Sequence, residues 1–184
     1  MANLKVPVGQ ADHVLGEENA PVTLVEYGDY ECPHCGHAHP IINAVRKHFG
    51  KQLRFVFRNF PLTQIHPHAE MAAEAAEFAG ANDRFWEMHD AIFENQSRLG
   101  TPFLEELAEK LGLASGGLMA ALENHQFLPR IKEDFMGGVR SGVNGTPTFF
   151  INGERYEESW EFEDMVAAIE EYLSLSKTER RRAG

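Results

Sequence analysis

Residues 21–35, "PVTLVEYGDYECPHC", constrain the chain more than any other stretch. The apolar, β-branched run at 21–27 reads as a buried strand. It gives way almost at once to Cys32 and Cys35, the only two cysteines among 184 residues. Beyond them Ile41, Ile42, Val45 and Phe49 recur at helical spacing, so Cys32 and Pro33 open a helix that runs to about His48. At 52–59, "QLRFVFRN" sets Leu53, Phe55 and Phe57 on one face and Arg54 and Arg58 on the other, which reads as a second strand. A strand, a crossover helix and a strand in this order favour a parallel pair.

The middle of the chain changes period. From His66 to about Ser141 it reads as helical, beginning with "HAEMAAEAAEFA", rich in strong helix formers. In "DRFWEMHDAIFENQ", Phe85, Met88, His89, Ile92 and Phe93 form one apolar stripe. "TPFLEELAEKLGL" begins with Thr101 as the expected N-cap and Pro102 as the first helical residue, and Gly112 marks its stop. One or two more helices follow in "GGLMAALENHQF" and "LPRIKEDFMGGVRSG". Strands return at 146–157, where Asn152 and Gly153 suit a type I′ hairpin. A last helix carries Phe162, Met165, Val166, Ile169 and Leu173, with Ser159 as its expected N-cap. The order is βαβ, helices, ββα, which predicts an α/β fold: one mixed sheet with helices on its faces and an inserted helical subdomain.

Two thiols with imidazoles nearby admit two chemistries. His34, His37, His39 and His48 lie within or soon after the pair, so zinc held by Cys32, Cys35 and His37 or His39 is one reading, with His66 and His68 as distant donors. Those histidines otherwise read as exposed helix residues and a helix start around Pro67. The second chemistry is thiol–disulfide exchange. Cys32 at a helix N-terminus meets unpaired N–H groups and the positive end of the helix dipole, which stabilise a thiolate. His34 adds positive charge, and Cys35, one turn on, is within disulfide reach and better placed to resolve a mixed disulfide. Glu26 on the preceding strand is either the proton acceptor beside the pair or a residue of a solvated sheet face. Pro147 in "GTPT" is unwelcome in a strand. A cis Thr146–Pro147 bond accounts for it and frees the Thr146 backbone to pair with substrate, whereas a trans proline at a strand edge is the plainer alternative.

"VTLVEYGDYECPHC", Pro40 and "GVNGTPTFFINGERY" resemble the thioredoxin superfamily, and "RFVFRNFPL" with the helical insertion resembles its DsbA-like branch of bacterial thiol–disulfide oxidoreductases. The resemblance implies a thioredoxin fold built from 1–62 and 142–176, an insertion at 63–141 and a basic tail at 177–184. It implies Cys32 as nucleophile, Cys35 as resolving thiol, Pro147 as the cis-proline and Glu26 as a buried acid. It also implies cysteine-containing proteins or small thiols as substrates, a redox partner that recycles the disulfide, and no cofactor. Both directions of electron flow stay open, as does a non-catalytic interaction module on the same scaffold.

Charge and patterning exclude other classes. A net charge of −11 argues against nucleic acid as the main partner, and "KTERRRAG" at the end reads as a frayed, solvated tail. No apolar stretch approaches the ~20 residues that span a bilayer. The first residues lack the pattern of a secretory signal, so the expected location is the cytoplasm, although a mature exported domain would look the same.

Overall fold

The structure is a computed structural model that describes residues 3–183, with side chains described through Leu175. Its sheet has the order β1-β3-β2-β4-β5. The predicted first strand is β2 (Val22–Gly28), and β3 (Leu53–Asn59) lies parallel beside it, from Val22 opposite Leu53 to Gly28 opposite Asn59. Between them runs α1 (Pro33–Phe49). On the other side of β2, β4 (Thr148–Ile151) is antiparallel and turns into β5 (Glu154–Tyr156). Asn152 at φ 49° and Gly153 at φ 86° give the two left-handed residues that the tight hairpin needs. One strand escapes the pattern: β1 (His13–Leu15) is a three-residue edge strand antiparallel to β3, too short to show an alternation.

Five helices stand between β3 and β4: α2 (Ala69–Gly80), α3 (Phe85–Phe93), α4 (Thr101–Lys110), α5 (Ser115–Glu123) and α6 (Leu128–Arg140). Gly100, not Thr101, caps α4. Thr101 is already helical, Pro102 is the second residue, and the Thr101 hydroxyl turns to the Met71 sulfur at 3.3 Å. Gly112 beyond the end of α4 takes a left-handed φ of 71°, as its stop role requires. The final helix, α7 (Phe162–Ala183), starts later than expected, and Ser159 accepts the Glu161 N–H at 3.3 Å ahead of it. The backbone of α7 continues through most of the basic run that was read as a frayed tail. Lys, Arg, Glu and Ala are good helix formers, and cations suit a helix C-terminus.

Both sheet faces are covered. One joins Leu24, Phe55, Phe57, Phe149 and Ile151 to α1, α7 and the alanine-lined α2 in the larger core. The other holds Val25, Tyr27, Val56 and Phe150 under Phe60, Val143 and Phe135 of α6. The expectation of a polar second face on β3 is therefore corrected at Arg58, whose side chain is 3% exposed. Its guanidinium binds both carboxylate oxygens of Asp12, at 2.7 and 3.0 Å, and donates to Tyr27 Oη and to the carbonyls of Val6 and Pro7. Arg58, on the strand face opposite Leu53, Phe55 and Phe57, thus pins the N-terminal segment. No helix among the described residues is long and apolar enough to cross a membrane.

Candidate active site

The site is built at the end of β2. Alternation along that strand sends Val22, Leu24, Glu26 and Gly28 to the same face, the one covered by α1. Register places Glu26 between Phe57 of β3 and Phe149 of β4, and it is 3% exposed. Burial in that apolar row, with the Cys32 charge as a second cause, pushes its carboxyl up to about 8. The solvated-face alternative is overturned. Gly28 follows because a Cβ there would run into the Phe57 ring and come within 3.1 Å of Glu26 Oε1.

Residues 29–31 form the turn into the helix, and sequence reasoning missed how they are held. The buried Asp29 carboxylate accepts the N–H groups of Glu31 and Leu62, both at 2.8 Å, and pairs with His66 Nδ1 at 2.8 Å. Its own backbone carbonyl accepts the Cys32 N–H at 3.1 Å, and its N–H points at Cys35 Sγ at 3.5 Å. Glu31 accepts the His68 N–H at 2.6 Å and pairs with His68 Nδ1 at 2.8 Å. His66 and His68, read as a helix start, do stand before Ala69, and they also clamp the redox turn. The only signal was two imidazoles around Pro67 and two acids before Cys32.

Cys32 is the N-cap of α1 with an extended backbone (φ −70°, ψ 121°), and no side chain caps the helix. Pro33 follows inside the first turn, which leaves the N–H groups of His34 and Cys35 to face the Cys32 sulfur. The Cys32 thiol is lowered to about 5, first by its hydrogen bond with the Cys35 thiol, then by Thr146 and the backbone N–H groups of Cys35 and His34. Burial opposes this and is outweighed. His34 thus acts through its backbone, and its ring is exposed, so the expected imidazolium charge is not what the geometry supplies. The Cys35 thiol goes the opposite way, pushed well up by burial and then by Cys32. Both cysteines are buried: Cys35 is fully covered, and Cys32 keeps only 4% of its surface.

Thr146–Pro147 is cis, and the Thr146 carbonyl accepts the Cys32 thiol at 3.4 Å. The loop before β4 therefore lies against Cys32. Thr146 Oγ1 is buried without a hydrogen-bond partner.

The histidines of the zinc reading all turn elsewhere. His37 faces Glu161 at 3.3 Å and the Trp160 ring, while His39, expected to be exposed, is buried against Phe93 and lies 3.3 Å from Asp90 Oδ1. Among the described residues, the groups whose ligand atoms converge are His39, His89 and Asp90, and Glu70, Glu74 and His125. Neither includes a cysteine. Among the described residues, no further donors converge on Cys32 and Cys35 to complete a tetrahedral thiolate site.

A thiol pair split between a helix mouth and a buried first turn, under a cis-proline loop on a mixed sheet, is the architecture of the DsbA-like branch of the thioredoxin superfamily. The chain belongs to the thioredoxin family: a family model described as Thioredoxin matches residues 9–171. BdbD from Bacillus subtilis, in its oxidised crystal structure, superposes with a TM-score of 0.85 at 26% identity, over 94% of this chain and 98% of that one. Alpha-DsbA1 of Wolbachia pipientis shares the fold at a TM-score of 0.83 and 18% identity, over 96% of this chain and 97% of its own. A curated relative, Na(+)/H(+) antiporter NhaA 1 of Salinispora arenicola, is 45% identical over 168 residues, which is 91% of this chain and 26% of that protein. The chain thus spans about a quarter of the length of the curated relatives it matches.

Proposed function

We propose that the Cys32–Cys35 pair works as a disulfide donor to cysteine-containing proteins or small thiols. The observation that carries this direction is the split between the two sulfurs: Cys32 lowered to about 5, Cys35 pushed well up. A stabilised Cys32 thiolate favours the reduced pair and makes Cys32 the better leaving group, so the disulfide form is an oxidant.

The cycle balances as follows. A substrate thiolate attacks Cys32 Sγ of the disulfide, the Sγ–Sγ bond breaks, and Cys35 leaves with the electron pair and takes up a proton. Glu26, whose carboxyl burial keeps above the ordinary carboxylate range, is the group we assign to supply it. A second substrate thiolate then attacks the substrate sulfur of the mixed disulfide and expels Cys32 as a thiolate. Two electrons have moved from the substrate dithiol to the pair, and a separate redox partner must take them away. The Thr146 backbone beside Cys32 is the surface we assign to pair with an extended substrate segment.

Equilibration of the pair with glutathione tests the direction. A potential well above thioredoxin's, which is about −270 mV, is expected. A value at or below that figure overturns the oxidant reading and returns the protein to reductase work. Such poise suits an oxidising compartment and not the cytoplasm expected from the first residues. Thiol trapping in the cells that make the protein separates the two: a pair kept wholly reduced favours the cytoplasm.

The antiporter-named relatives favour one further reading, about place. They carry the matching segment as 26% of a longer chain. We propose that the thiols this domain serves lie beside a membrane transport protein. A Cys35→Ser trap should then recover its mixed disulfides in the membrane fraction, and recovery only from the soluble fraction overturns it.

A further inference from the structure

Gln96 begins the short turn between α3 and α4, and its side chain leaves the helical insertion for the redox loop. Its Nε2 donates to the Tyr30 carbonyl and to the Cys32 carbonyl, both at 2.9 Å. A primary amide has two N–H donors, and each finds a main-chain acceptor on the same turn. The Cys32 carbonyl also accepts the Gly36 N–H at 3.1 Å, so both of its lone pairs are engaged.

That carbonyl has unusual leverage. The peptide plane between residues 32 and 33 carries no N–H, because residue 33 is proline. Its oxygen is the only hydrogen-bonding handle on the plane. The plane's orientation is the ψ angle of Cys32, which decides where the first turn of α1 stands relative to the Cys32 side chain. Gly36 belongs to the same arrangement. A Cβ at 36 would collide with Gln96 Oε1 and Cδ, while its backbone lies outside the left-handed region that favours glycine. The amide, not the backbone, excludes a side chain there.

We propose that Gln96 is a positioning residue for disulfide exchange: its amide fixes the Tyr30 and Cys32 carbonyls and so holds the Cys32 sulfur over the His34 and Cys35 N–H groups. The helical insertion thereby sets the chemistry of a pair that lies outside it. The inference rests on the oxidoreductase reading above for its purpose, but not for its measurement.

The test titrates Cys32 in the reduced protein by ultraviolet thiolate absorbance, and measures the glutathione equilibrium, for Gln96→Leu and Gly36→Ala. Leucine keeps much of the volume and removes both donors, and alanine leaves the amide intact but displaces it. Both should raise the Cys32 pKa by about one unit, a tenfold loss of thiolate at low pH. The equilibrium should move about tenfold toward the disulfide form, which is about 30 mV more reducing. A merely structural Gln96 would lower the stability of both redox forms alike and leave titration and equilibrium unmoved in the two variants, and that result overturns the proposal. If Gln96→Leu does not fold, Gly36→Ala decides by the same criteria. A shifted titration in a protein whose wild type exchanges with no dithiol would uphold the positioning and sink the oxidoreductase reading instead.

Discussion

A sulfur at the mouth of a helix and a sulfur one turn inside it are chemically different groups. Cys32 should therefore react with an alkylating reagent with a half-point near pH 5, while Cys35 stays inert through neutral pH. Equal rates for the two thiols, or a half-point near the free value of ~8.5, would sink this. Thr146 should contribute from the side. Its hydroxyl is buried without a partner, and Thr146 is among the causes that lower the Cys32 thiol, so the hydroxyl should donate to the thiolate once the thiol proton is lost. Thr146→Val should raise the Cys32 pKa, read from the same titration, and an unmoved value assigns the whole effect to the backbone. Glu26 should report the redox state. The Cys32 charge is one of the causes that raise it to about 8, so oxidation, which removes that charge, should lower the Glu26 pKa. Carboxyl titration by NMR in both redox forms checks the sign.

At the scale of elements, the turn between β2 and α1 is held by groups far from it in sequence. Asp29→Ala would leave the Glu31 and Leu62 N–H groups and His66 without their acceptor in a half-buried place. Unpaired buried donors cost about 1–3 kcal/mol each, so chemical denaturation should show a loss of at least about 2 kcal/mol. A change under about 0.5 kcal/mol would mean that water replaces the carboxylate. This clamp also shows where sequence reading stops. Cys32, Cys35 and Pro147 announced themselves because each residue type is costly without a purpose. The strand–helix–strand unit announced itself through periodicity. Asp29, His66 and Gln96 carry no periodicity, and their partners are set by how the insertion docks, which local spacing does not encode. Thr101 and Ser159 mislead for a related reason: several small polar residues near a helix start can cap it, and packing chooses which one does.

For the whole molecule, the weight falls on the face of the sheet that carries Arg58. Arg58 and Asp12, 3% and 7% exposed, join the N-terminal segment to β3. Arg58→Met should strand a buried carboxylate and cost about 3–5 kcal/mol, and Arg58→Met with Asp12→Leu should recover much of that loss. A double variant as unstable as the single one would show that the bonds to the Val6 and Pro7 carbonyls matter more. The Asp12 carboxyl is held below its ordinary 3.8 by Arg58 and the Gly9 N–H, against the opposing effect of burial. Its contribution is therefore fully present above 3.8 and lost as pH falls through the lowered folded value. Acid unfolding of the wild type should include this loss, and the double variant should lack it.

The N-terminal segment has one more consequence. Asn3 bridges to Glu154, Glu154 pairs with Ile151, and Ile151 pairs with Leu24 near the start of β2. The redox turn leaves from the other end of that strand, beyond Gly28. A tether joined ahead of Asn3 therefore meets the sheet on the side of the start of β2, and Gly28, where the redox turn leaves, lies roughly 13 Å further along the strand at about 3.3 Å per residue. A surface, a bead or a neighbouring domain fastened there would hold the protein by its heel, with the thiols turned outward to whatever arrives.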